Sequence, residues 1–321
     1  MKQKTIFLIS LFIIISLMLM PSEALKSALD ALNIWLFSLC PSIFPFMVSS
    51  KMLVLSGGAS LIGKVFQYPI KKIFSVSKES SFAMFTGLMC GYPMGAKSAF
   101  DLYQNRLITP DEAKIILSCS LNASPSFILS AVALNMLNNE ISGYIILFSS
   151  LISNIITGII VSGIYIKSST YMPIFACENK FDTPPSQIIS KSISDSLTAI
   201  LQLGGYIIFF AAFTSILSEI GFFKILAAFM PFPDDISSAI LKGFFEMTTG
   251  VKEISILNYA LELKTALSAF ILSFGGICVH FQCYEFYKSI PDISFYNVFI
   301  FKIINAILSG FISYFLCMFL L

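Results

Sequence analysis

Charge is scarce in this chain of 321 residues. Lys, Arg, Asp and Glu together make up 12%, as 20 basic and 18 acidic residues with a net charge of +2, where ordinary soluble domains carry about 25%. Histidine and tryptophan occur once each. The balanced, scattered charge leaves no basic stripe for nucleic acid, so no such partner is expected. The seven cysteines, at positions 40, 90, 119, 177, 278, 283 and 317, lie mostly in apolar runs and form no CxxC pair. A disulfide framework is therefore not indicated. No zinc motif, no Ser/His pair at helical spacing and no paired acids within the apolar runs appear, so neither an enzyme, a metal nor a cofactor is expected.

Apolar residues, in contrast, are abundant. They reach 56%, with 33 Phe and a mean hydropathy of +0.85. No soluble core hides that much. The chain reads as an all-α polytopic membrane protein, and uncharged runs give its crossings, since a helix needs about 20 residues to span the hydrocarbon. Thr5–Met20, Ala31–Ser50, Ile115–Asn139, Ile141–Ile166, Ser196–Ser218, Thr265–Tyr284 and Ile303–Leu321 qualify, giving about seven transmembrane helices, with Lys302 just outside the last and able to snorkel. The first run could instead be a signal peptide, because Lys2 and Lys4 precede it and Ser22-Glu23-Ala24 follows.

Two apolar segments are interrupted and too short on each flank to cross. Ser80–Ala96 is broken at Gly91-Tyr92-Pro93-Met94-Gly95. Ile236–Tyr259 is broken at Met247-Thr248-Thr249-Gly250 and carries Lys242, Glu246, Lys252 and Glu253. Both read as re-entrant helical hairpins, whose turns must face protein or a watery cavity. The lysines set the orientation. Lys2, Lys4, Lys51, Lys64, Lys71, Lys72 and Lys78 place the N-terminus and the 51–78 segment inside, and Asn135–Glu140, without Lys or Arg, outside. The Lys167–Lys191 loop and Glu285–Asp292 return inside, and Glu219–Asp235 lies outside.

The chain repeats itself weakly. Gly95-Ala96-Lys97 matches Gly250-Val251-Lys252, and each half reads span, short amphipathic piece (Leu61–Phe66; Phe222–Met230), hairpin, interrupted span, final span. The interruptions are Asn122-Ala123-Ser124-Pro125 and Phe274-Gly275-Gly276. Three crossings per half make the second half enter with opposite polarity, so the expected fold is an inverted repeat with both hairpin tips meeting both interruptions near the midplane. The expected organisation is an N-terminal helix over 1–29, a first repeat over 30–167 with its hairpin at 79–104, a cytoplasmic linker over 168–194, and a second repeat over 195–321 with its hairpin at 236–259.

Cys90-Gly91-Tyr92-Pro93-Met94-Gly95-Ala96-Lys97, Asn122-Ala123-Ser124-Pro125-Ser126-Phe127, Gly243 through Gly250, and Phe274-Gly275-Gly276 with Val279-His280-Phe281-Gln282 resemble the sporulation integral membrane protein YlbJ family over roughly residues 30–320. The resemblance implies a nucleoside-recognition gate domain and the movement of dipicolinic acid, a small aromatic dianion, across the outer forespore membrane. Other sporulation membrane proteins, or a second copy of this chain, are the partners it leaves open. A nucleoside or nucleobase cargo, or a membrane scaffold that transports nothing, are the alternatives. The chain is short for that family.

The residues suggest roles of their own. A helix N-terminus attracts anions, so bare amides at Gly95-Ala96 with Lys97, and at Thr248-Thr249-Gly250 with Lys252, would suit two carboxylates. Lys97 could equally pair with Asp101. Glu246 reads either as a carrier of a coupling ion or as the partner of Lys242 or Lys252. Asn122 and Ser124 could bond cargo or an ion where Pro125 frees a carbonyl. Gly275 and Gly276 open the second interrupted span, where His280 and Gln282 could hold a carboxylate, or His280 a proton. Tyr92 and Phe127 could stack on an aromatic ring or simply pack.

Overall fold

Thr109 and Glu112 show how the helices begin. The Thr109 hydroxyl accepts from the Glu112 amide at 3.2 Å, and the Glu112 carboxylate accepts from the Thr109 amide at 2.9 Å, closing a capping box with Pro110 in the first turn. The second Glu112 oxygen accepts from the Ser77 amide at 2.6 Å, tying together the starts of two helices.

The computed structural model of the chain describes residues 3–56, 58–165 and 184–321. These form fifteen α-helices and two π-helical stretches, with no strand among the described residues: α1 Gln3–Leu19, α2 Pro21–Ile34, α3 Cys40–Leu55, α4 Gly58–Phe74, α5 Lys78–Cys90, α6 Tyr92–Gln104, α7 Pro110–Ser120, α8 Glu140–Tyr165, α9 Pro185–Glu219, α10 Phe222–Ala227, α11 Asp234–Phe245, α12 Met247–Ile256, α13 Leu261–Phe274, α14 Gly276–Tyr287 and α15 Phe295–Leu320. Trp35–Leu39 joins α2 to α3, and Phe127–Met136 lies between α7 and α8.

Among the described residues, four helical stretches are long and apolar enough to cross a membrane: α8, α9, α13 with α14 as Leu261–Tyr287, and α15. A fifth is counted if α1 and Pro21–Phe37, bent by 101°, make one span. The other expected crossings are assembled from shorter pieces. The run 115–139 is split into the end of α7, an irregular stretch at 121–124 and the helical turn that runs from Pro125 into the π-helix Phe127–Met136, because Pro125 cannot donate a backbone hydrogen bond. Most of the expected 168–194 connection lies outside the described residues, and α9 already begins at Pro185.

Both expected hairpins are helix pairs. α5 ends and α6 begins at Gly91, whose φ of 90° and ψ of −170° suit a residue without Cβ. In the second hairpin the break falls at Glu246, in an extended conformation (φ −143°), while Met247-Thr248-Thr249-Gly250 forms the first turn of α12. The turn expected at 247–250 is thus displaced to its N-terminal side, because the Glu246 side chain caps the new helix. Within each pair a glycine contact sets the crossing. A Cβ on Gly87 would lie 2.9 Å from Gly95 Cα, and one on Gly250 would lie 2.3 Å from Gly243 Cα.

The helix order of the first half recurs in the second: hairpin (α5–α6; α11–α12), interrupted span (α7 and Phe127–Met136; α13 and α14), long final helix (α8; α15). α8 and α15 pack together, and Asn305 donates to Asn154 and Thr157 across them, while Ser149 and Ser153 of α8 and Ser309 of α15 are small polar side chains that are also buried. Their large apolar side chains, such as Phe311 and Phe315, face outward. Membrane helices pack in this way, since lipid is as apolar as leucine and close approach plus hydrogen bonding holds the helices.

Lys302 corrects the sequence reading. It is 0% exposed and does not snorkel, because α15 turns it toward the interrupted span of the first half.

Candidate functional site

Each hairpin tip rests on the break of its own half. A Cβ on Gly91 would meet Ser124 N at 3.0 Å and Asn122 O at 3.3 Å; one on Gly276 would meet Gly243 O at 3.1 Å and Met247 N at 3.2 Å. The halves then join through Tyr92. Its ring packs on Gly275, and its hydroxyl donates to the Leu272 carbonyl. Gly276, four residues after Leu272, follows the turn at Gly275, where φ is 89°.

A narrow cleft opens where these pieces meet. Gly91, Tyr92 and Pro93 of the first hairpin, Glu246 and Met247 of the second, Ala123 and Ser124 of the first break, and Cys278 and Gln282 of α14 line it. Leu39, Ile43, Leu203 and Ile207 close it. A second, roomier cleft shares Pro93, Leu203 and Gln282 and adds Tyr206 and Glu285. The expected meeting of hairpin tips and interrupted spans is present.

The chemistry of that meeting differs from the expectation. Glu246, 3% exposed, turns its carboxylate onto its own helix. One oxygen accepts from Thr248 N at 2.9 Å, the other from Thr249 N at 2.7 Å and Thr249 Oγ1 at 2.8 Å. The amides at Thr248 and Thr249 are therefore already occupied by an anion, as a helix N-terminus favours. Gly250 donates its amide to Glu246 O and serves close packing on Gly243. Gly95 likewise donates to Gly91 O at 3.3 Å and packs against Ser120. Neither glycine presents a bare amide.

The two lysines of the matching triplets do not line either cleft. Lys97 is buried and donates to the Asp195 carbonyl at 3.3 Å, while Asp101 pairs with Lys51 at 2.9 Å and Asp195 lies 3.5 Å from the same ammonium. Lys252 pairs with Asp30 at 2.8 Å with both side chains about half exposed, at 53% and 49%. Lys242 pairs with Glu253 at 2.7 Å, so neither lysine neutralises Glu246.

The remaining candidates divide. Ser124 lines the cleft and caps Phe127 N at 3.3 Å. Gln282 lines both clefts, donates to Cys278 Sγ at 3.3 Å and leaves Oε1 without a partner. Asn122 is buried beside the first break, with Nδ2 on Ala123 O at 3.1 Å and Oδ1 unpartnered. Thr248 Oγ1 is also buried and unpartnered. His280 stays off the cleft, enclosed by Phe274, Phe299 and Phe295 at ring distances of 4.9, 5.1 and 6.0 Å.

Lys302 is the functional candidate that sequence reading missed. Its ammonium donates to the Leu121 carbonyl and, at 3.2 Å, to Asn305 Oδ1, and lies 5.6 Å above the Tyr92 ring. Asn305 in turn donates to Asn154 Oδ1 at 3.0 Å. The available signal was spacing: Lys302 and Asn305, three apart, share a helix face.

No family model matches the chain. Among curated proteins it is similar to the sporulation integral membrane protein YlbJ of Bacillus subtilis (strain 168), 24% identical over 331 residues, covering 95% of this chain and 81% of that protein. The resemblance to the YlbJ family is thereby borne out along nearly the whole chain. Among solved structures the fold is that of CNTnw, a concentrative nucleoside transporter. A CNTnw variant in an outward-facing state matches with a TM-score of 0.57 at 13% identity, covering 97% of this chain and 83% of that one. CNTnw in an inward-facing substrate-bound state matches with a TM-score of 0.52 at 12% identity, covering 98% and 84%. The chain is a multi-pass membrane protein with a transporter-like fold.

Proposed function

We propose that this relative of YlbJ is a membrane transporter that moves a small organic solute by alternating access about the cleft between its two hairpin tips. The observation that carries the reading is the cleft's composition: equivalent pieces of two repeated halves, a hairpin tip and a broken span from each, meet around one space. We read the hairpins as re-entrant and the halves as inverted, the arrangement that lets one half rock against the other around a fixed site.

Dipicolinic acid, moved across the outer forespore membrane, is the cargo to test first, supported by the relationship to a sporulation protein. The cleft constrains its form. Glu246 is the charged residue in its lining, and Lys97 and Lys252 lie elsewhere. A dianion beside that carboxylate is disfavoured unless protons or a cation enter with it. A nucleoside or nucleobase meets no such obstacle, and Glu246, Ser124 and Gln282 offer it hydrogen bonds, which makes it the second reading.

Purified protein in proteoliposomes, supplied with dipicolinate or with a nucleoside, tests both. Passage of dipicolinate alone, rising as pH falls or with a permeant cation, supports the first; passage of the nucleoside alone supports the second. If correctly inserted protein moves neither, a membrane scaffold replaces the transporter.

A further inference from the structure

Two broken spans leave carbonyl groups without their helical donor, and the chain treats them alike. Four residues after Leu121 stands Pro125, which has no N–H; Lys302 takes the Leu121 carbonyl. At the other break the Tyr92 hydroxyl takes the Leu272 carbonyl. Tyr92 thus lies between the two, its ring under the Lys302 ammonium and its first-hairpin backbone at the cleft.

The surroundings of Lys302 are those of a cation site. The two groups that accept its hydrogen bonds are oxygens, the Leu121 carbonyl beyond the C-terminal end of α7 and Asn305 Oδ1. A helix C-terminus carries partial negative charge, and unwound carbonyls in broken membrane helices coordinate coupling cations such as sodium in transporters. No carboxylate pairs with Lys302 among the described residues. The other groups facing it are the Cys119 and Cys283 thiols and His280. A fully buried lysine that only packed would be costly here, so its position calls for a role.

We propose that Lys302 is a resident cation: its tethered ammonium fills the oxygen-lined site at the first broken span, which a metal ion would otherwise occupy, so the protein takes no sodium there and its transport does not depend on sodium. The inference rests on the transporter reading for its functional half. Its structural half stands on stability alone, because melting requires no cargo.

Thermal unfolding of the purified protein, compared in sodium chloride and choline chloride of equal ionic strength, is the test. The wild type should melt at the same temperature in both. Lys302→Ala vacates the site and should melt about 5 °C lower in choline, recovering part of that loss in sodium or methylammonium. Lys302→Met fills the space without charge and should melt low in every salt. A wild type that sodium stabilises over choline, or a Lys302→Met variant as stable as wild type, would overturn the proposal. If Lys302→Ala does not accumulate, the wild-type and Met results still decide. In vesicles, wild-type transport of whichever solute moves should be equal with and without a sodium gradient.

Discussion

The Glu246 carboxylate sits 2.7 Å from the Thr249 amide, so the second hairpin tip carries its own anion at the position where a bound one would go. The tip is thereby closed to a carboxylate cargo while its helix stays capped. This one contact shifts the search for cargo-binding groups from the backbone to Ser124, Gln282 and Glu246 itself.

Glu246→Gln replaces two acceptor oxygens by one acceptor and one donor pointed at N–H groups. The variant should lose about 1–2 kcal/mol of stability, seen as a lower melting temperature in detergent. With the negative charge gone, its KM for a dicarboxylate should fall several-fold while that for a nucleoside does not; equal changes for both would show that the Glu246 charge does not select cargo.

Gly250→Ala would force a Cβ to 2.3 Å from the Gly243 Cα. The second hairpin must separate, at a cost of about 3 kcal/mol. Gly205→Ala is the control: nothing lies within 4 Å of its Cβ on the exposed face of α9, and the substitution should be neutral or stabilise by up to about 1 kcal/mol. Melting temperatures that fall equally for both would contradict the close crossing at Gly243 and Gly250.

Removal of the charges at positions 97 and 252 should separate two environments. Lys252→Gln breaks an exposed ion pair worth about 0.5 kcal/mol and should leave uptake unchanged. Lys97→Gln disturbs the partly buried cluster of Lys51, Asp101 and Asp195, so the maximal rate should fall with little change in KM. A selective rise in KM for an anion would restore Lys97 as a binding group.

Single cysteines at Asn138 and Lys288, both exposed, should label from opposite faces of the membrane with an impermeant maleimide. Labelling from one face would break the inverted arrangement. Of the native cysteines among the described residues only Cys40 is not buried, so background labelling should be low.

Much of the architecture was legible because backbone punctuation is local. Gly91-Tyr92-Pro93, Pro125 and Gly275-Gly276 interrupt helices wherever they occur in such runs, and each break lies where those residues put it. The second hairpin break escaped by a few residues because its cause, Glu246 folding back onto Thr248 and Thr249, is a side-chain choice that composition does not announce.

Composition and punctuation by themselves determined that this is an all-helical membrane protein with two hairpins and two broken spans in repeating order. The tertiary structure alone decided which charged groups matter. Lys252 sits in the triplet that matches that of Lys97 yet reaches the surface, and Lys302, at the edge of an apolar run, is 0% exposed, the most deeply buried lysine among the described residues. The reason is geometric: depth depends on the rotation of a helix and on what packs against that face, and neither is fixed by position along the chain.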